Sequence, residues 1–264
     1  HLRWLNRLEF KDWVPPALAF HIRHQNEPKM LLAFLKDLER LAYSMLVRKI
    51  GVYERIERFS KLTEAVERDE DLTSDFSPLQ LSPLEQGSTY NALNGSLYET
   101  HSSKALGILL LRLDALLSDG SASYQHDVVS VEHVMPQQPA TASQWREWVN
   151  EPEKHQFWLH RLGNLTLLSR RKNSSARNYD FSKKKTAYFT KGGISSFALT
   201  TQVLQHDTWT VAVMEQRQTD LLYKLEQFWR LDNRVSKAEQ AAQLLTAQVK
   251  AEAAAAFEME SRGR

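Results

Sequence analysis

A mainly α-helical protein with one small strand–strand–helix unit embedded in it is what this sequence predicts. Three observations carry that reading. Apolar residues recur at helical spacing over most of the chain. Two short β-type segments, 128–136 and 162–168, stand apart from that pattern. A strongly basic, helix-type segment over 170–178 follows the second of them.

Residues 1 to about 70 read as helical throughout. Leu31, Leu32, Phe34, Leu35, Leu38, Leu41, Ala42, Met45 and Leu46 mark the buried face of one long helix. Pro28 stands near its start, where a missing N–H is tolerated. Trp13-Val14-Pro15-Pro16 ends one segment and opens the next, and a third helix is expected over Val52–Val66. His21 and His24 have a spacing that can bind metal but lack a third ligand, so they read as packing or surface residues. Residues 70–84 are polar and proline-bearing, which predicts a loop or a domain boundary. Leu106, Leu109, Leu110, Leu113 and Leu117 then supply the stripe of a helix within 97–117, ended by Asp119-Gly120.

Val128–Pro136 reads as a short strand stopped by proline, and Leu162–Leu168 as a second strand entered through Gly163. In the connection between them, Trp145 and Trp148 share a helix face, and packing onto the core is their expected role. Beyond Tyr188, Lys191-Gly192-Gly193 reads as a turn, and helices follow near Ala198–Leu204 and Trp209–Trp229. Residues 232–257 form a helix-type stretch with a thin stripe of Leu244, Leu245 and Val249, suited to a partner or a neighbouring subunit. The expected organisation is a helical region over 1–84, a chemistry-bearing domain over 85–231 with its core motif at 128–188, and a C-terminal helix or tail over 232–264.

Composition narrows the function. The absence of cysteine excludes disulfides, thiolate catalysis and Cys-based zinc sites, and fits a cytoplasmic protein. Uninterrupted apolar runs are too short to predict a membrane-spanning helix. The start, His1-Leu2-Arg3-Trp4, carries no secretory signal, and the chain reads as a piece cut from a longer protein. The net charge of +2 is segregated: residues 161–191 hold nine Lys or Arg against Asp180 alone, leaving the rest of the chain acidic. Such a patch suits an anionic partner, nucleic acid first.

Hydrolysis of a phosphodiester needs a base for the attacking water, a cation for the developing charge, and a grip on the strand. The central stretch holds candidates for each. His133 suits the base. Glu132 and Asn173 offer hard oxygen ligands for Mg²⁺ or Mn²⁺. Arg170, Arg171, Lys172, Arg177, Lys183, Lys184 and Lys185 can hold phosphates.

The arrangement resembles the HNH (ββα-metal, His-Me finger) nucleases: Glu132-His133 matches the acid–His pair, Asn164 the middle position, and Asn173, nine residues on, the helix position. A narrower likeness runs through Val131–Gln137, Leu162–Leu168, Asn173, Phe181, Lys184, Tyr188, Trp209, Arg217, Leu222 and Trp229. These residues resemble the C-terminal nuclease domain of GmrSD-type restriction enzymes and of SspE-like phosphorothioate-sensing antiphage proteins. The resemblance implies a one-metal DNA endonuclease that nicks, with His133 as general base and Glu132 and Asn173 on the cation. It implies that Asn164 serves the catalytic centre by pinning the loop that carries His133. His160 and Asn178 join the expected DNA contacts. It further implies an upstream nucleotide-hydrolysing sensor domain in the same full-length protein, and leaves a homo-oligomer open. The rival reading is a catalytically silent helical module that binds DNA through the basic face and partners through its helices.

Overall fold

The computed structural model describes residues 1–118, 129–169, 179–190 and 195–234. The helices are α1 (Leu2–Leu5), α2 (Val14–His24), α3 (Pro28–Arg48), α4 (Val52–Glu67), α5 (Pro83–Leu93), α6 (Leu97–Thr100) and α7 (Ser103–Leu117). After β1 (Ser130–His133) come α8 (Gln144–Trp148) and α9 (Pro152–Leu159). A 3₁₀ turn over Leu162–Asn164 leads into β2 (Leu165–Leu168). The short α10 (Phe181–Lys183) runs straight into a π-type turn over Lys184–Tyr188. α11 (Ala198–Leu204) and α12 (Val211–Trp229) close the described chain. The expected mainly α class with a small β element is what the structure has.

The long helices fall where the apolar periodicity puts them. α3 starts at Pro28, and α12 begins at a Thr210 whose side chain accepts from Val213 N. α5 was not foreseen within the expected 70–84 loop and its sequel, because Pro83–Leu93 has almost no apolar stripe. Its signal was at the N-terminus instead. Ser82 and Glu85 exchange side-chain and backbone hydrogen bonds as a capping box, with Pro83 in the first turn.

The sheet is the antiparallel pair β1–β2, with Glu132 opposite Thr166 and His133 opposite Leu165. A two-stranded sheet is marginal alone, and here each face has its own core. Val131, Leu165 and Leu167 join the large cluster built from α1 to α7 with α11 and α12. Leu168 joins a second cluster of Trp145, Trp158, Phe181, Tyr188, Trp209 and Met214. Trp145, foreseen as a packing residue, is fully buried there. The expected boundary near residue 84 lies inside the first cluster. Arg40 of α3 donates to the carbonyls of Trp229 and Arg230 at 2.6 and 2.9 Å, tying the first helices to the end of the last.

His101, at the break between α6 and α7, has its Nε2 2.9 Å from the Val47 carbonyl, and burial pushes its pKa down. His160 and His206 are lowered too, each chiefly by burial. The unfolded chain, with ordinary histidines near about 6.5, then binds more protons than the folded one as pH falls. Stability is fully present above that value and is lost below it. The thermal midpoint is expected to drop between about pH 7.5 and about pH 5.5, and His101→Gln to flatten the slope. A midpoint constant over that window rejects the assignment.

Candidate active site

β1 presents its last two residues to opposite faces of the hairpin, as the two-residue repeat of a strand dictates. Both are buried: Glu132 is 4% and His133 3% exposed. Tyr188 Oη donates to Glu132 Oε2 at 2.9 Å. His133 meets different neighbours. Its Nε2 lies 3.1 Å from His160 Nδ1, and the edge of its ring contacts Tyr98 at a centroid distance of 4.2 Å. Gln137 Nε2 stands 3.5 Å from His133 Nδ1. The strand ends at His133 itself, so the chain is free to turn immediately after the pair.

Asn164 pins that turn. It is wholly buried, its Oδ1 accepts from Met135 N (2.7 Å) and Trp209 Nε1 (3.1 Å), and its Nδ2 donates to Met135 O (3.1 Å) and Leu159 O (2.9 Å). Both lone-pair directions and both N–H groups of the amide are thereby used. One side chain joins the exit of β1, the end of α9 and Trp209 just ahead of α12, and it has nothing left to offer a substrate. The adjacent Gly163 packs against α12: an added Cβ would stand 2.3 Å from the Met214 carbonyl oxygen. Its N–H donates to Gln218 Oε1 at 2.6 Å. Arg217, also from α12, donates to the carbonyls of Leu162, Gly163, Leu165 and Leu199. Burial pushes its pKa down to about 9, while the four carbonyls supply acceptors for a retained charge.

The π-type turn braces β1 from the other side. Lys184 and Tyr188, four residues apart, both reach it. Lys184 is fully buried, and its Nζ donates to the carbonyls of His133 and Val134, each at 2.9 Å. The expectation of a phosphate contact at Lys184 is therefore corrected. An ammonium enclosed in protein and directed at two backbone carbonyls is not presented to a DNA backbone. Three adjacent lysines look alike in sequence, and only the turn decides which one points inward. Lys183 is exposed, with Nζ 3.9 Å from the Tyr179 ring centroid, and Lys185 donates to the His206 carbonyl at 2.6 Å.

Of the other expected site residues, the structure brings His160 against His133. Asn173, Arg170, Arg171, Lys172, Arg177 and Asn178 lie outside the described residues. Among the described residues no group of three or more His, Cys, Asp or Glu could hold a metal ion. Tyr98, Tyr188 and Arg217 shape the site without an expected role in it, and Lys184 shapes it in a role other than the expected one. A sequence signal existed for three of them, since Lys184, Tyr188 and Arg217 lie within the stretch that carries the resemblance. Tyr98 had none.

Among the described residues no helix is long and apolar enough to cross a membrane. A family model described as GmrSD restriction endonucleases, C-terminal domain, matches residues 85–224, just over half of the chain. No curated protein matches the chain.

Proposed function

The chain belongs to the family of GmrSD restriction endonuclease C-terminal domains, a nuclease family, and from that premise we propose that it is a metal-dependent DNA endonuclease of the HNH type. In this reading it nicks DNA as the effector of a modification-sensing antiphage system, under an upstream nucleotide-hydrolysing sensor domain. The observation that carries the reading is the succession of a buried Glu132 and a buried His133 at the end of a strand whose exit is held by a saturated Asn164 and a buried Lys184. A buried acid and a buried histidine on adjacent residues, each held by its own partner, suit chemistry better than surface binding.

The donor set fits a hard divalent cation. Among the described residues the Glu132 carboxylate has one hydrogen bond, to Oε2, so lone pairs remain for a metal. Mg²⁺ or Mn²⁺ binds through one or two such oxygens and keeps much of its own water. Glu132 and Asn173 would hold it, and the ion would supply charge for the phosphate and the leaving 3′ oxygen. His133 takes the proton of the attacking water. Tyr188 orients the Glu132 carboxylate, and Asn164 holds the backbone on which His133 stands. Lys183 and Lys185, with the basic stretch 170–178, would contact phosphates.

The test is a supercoiled-plasmid assay with Mg²⁺ or Mn²⁺, with EDTA and His133→Ala as controls. Open-circular product that requires both metal and His133 supports the reading. DNA binding without conversion under either metal favours the silent binding module instead.

Lys184 and Lys183 should separate cleanly in the same system. Lys184→Met is expected to slow cleavage by roughly 10- to 100-fold, the scale for losing an outer support of an active centre. It should leave the salt dependence of DNA binding unchanged. Lys183→Ala should instead reduce the slope of log affinity against log salt by about 1. A salt slope that falls with Lys184→Met would restore it as a phosphate contact.

A further inference from the structure

His160 offers an imidazole to His133 in a geometry that phosphate contact does not need. It caps the C-terminal end of α9, its carbonyl accepts from Tyr98 N at 3.1 Å, and its ring stacks on Tyr98 at 5.7 Å with 14° between planes. Tyr98 turns its own ring at 60° to His133. The preceding carbonyl, Leu159 O, is held by Asn164, which also holds Met135 just beyond β1. Both imidazoles thus stand on backbone fixed by the same amide, with His133 Nε2 and His160 Nδ1 3.1 Å apart.

We infer that His160 is a positioning residue for His133: its Nδ1 accepts the His133 Nε2–H, fixing the ring and leaving the lone pair of Nδ1 as the basic site. The inference rests on the nuclease reading for its consequence, although the pair itself is geometry. Gln137 fits the direction of the bond. Its amide nitrogen stands 3.5 Å from His133 Nδ1, a long contact on the side where the lone pair lies in this arrangement and one that a water can replace. Burial, opposed in part by Glu99 and reinforced by His155, lowers the pKa of His160 and favours the neutral ring that an acceptor requires. His133 is the more deeply buried of the two, so its orientation is set by protein contacts, this one among them, and not by bulk water. The logic is that of a base oriented by a third group, with an imidazole in the place a carboxylate often takes.

The experiment compares His160→Leu, which removes the acceptor, with His160→Asn, whose Oδ1 stands near the position of Nδ1. Both are measured in the full chain by single-turnover plasmid nicking and by DNA affinity. Leu is expected to lower the rate roughly 10- to 100-fold with affinity nearly unchanged, and Asn to restore it to within about threefold. Equal loss in both variants would make the role merely structural. Weaker binding with an unchanged rate would make His160 a phosphate contact. Long-range ¹H–¹⁵N spectra of the imidazoles in the metal-free wild-type chain read the tautomer without activity. Protonation of His133 at Nε2 is expected, and protonation at Nδ1 overturns the inference. If the wild-type chain nicks no DNA, the nuclease reading fails while the spectra still decide the pair. They also decide it if His160→Leu fails to fold, which a thermal melt detects.

Discussion

His133→Ala is expected to lose between about 10² and 10⁴ in single-turnover nicking while keeping most of its DNA affinity. The size follows from the role: removing a positioned general base raises the barrier by about 1.4 kcal/mol for every tenfold in rate. Affinity should survive because His133 is 3% exposed and meets His160, Gln137 and Tyr98 rather than offering surface to a duplex. Folding should survive as well, since the strand is anchored by its neighbours: Val131 in one core, and the His133 carbonyl under Lys184. The measurement is open-circular product against time with protein in excess, beside a gel-shift titration. Retained nicking by a purified His133→Ala variant would remove the residue from the chemistry.

Gly163→Ala is expected to destabilise the protein by about 3 kcal/mol or more, at the upper end of what overpacking costs. The added methyl would stand 2.3 Å from the Met214 carbonyl oxygen, and that oxygen belongs to a helix backbone that cannot swing aside. Relief requires α12 to move off the turn. That movement would also weaken the Gly163 N–H bond to Gln218 and the four Arg217 contacts. For a chain of this size the thermal midpoint should fall by roughly 6–12 °C. Nicking should fall with it, because Asn164 is the next residue and its bonds to Met135 and Trp209 depend on the same turn. A midpoint within about 1 °C of wild type would mean that the close approach is not a packing constraint.

Much of the fold was legible because helices announce themselves locally. The stripe from Leu31 to Leu46 and the stripe from Val211 to Trp229 each belong to one helix in the structure. α5 escaped that reading because its environment, not its own periodicity, buries it. Gln86, Gly87 and Thr89 are among its buried residues, and none of them is a strong apolar signal. A strand pair of four residues each was readable from proline, glycine and β-branched residues at 128–136 and 162–168.

For the candidate site, the sequence by itself determined the types and order of the groups: an acid–histidine pair, an asparagine after glycine, and a run of lysines. These depend on chemistry and spacing along the chain, which a sequence states directly. Which atoms meet was decided only by the tertiary structure. Lys183, Lys184 and Lys185 are equivalent as letters, but one π-type turn sends Lys184 beneath β1 and leaves Lys183 in solvent. His160 is expected from sequence as a DNA contact, and only the end of α9 brings its ring to 3.1 Å from His133. The physical reason is the same in both cases. Burial and hydrogen-bond partnership come from elements distant in sequence, and a buried ammonium or imidazole takes its role from the groups that surround it.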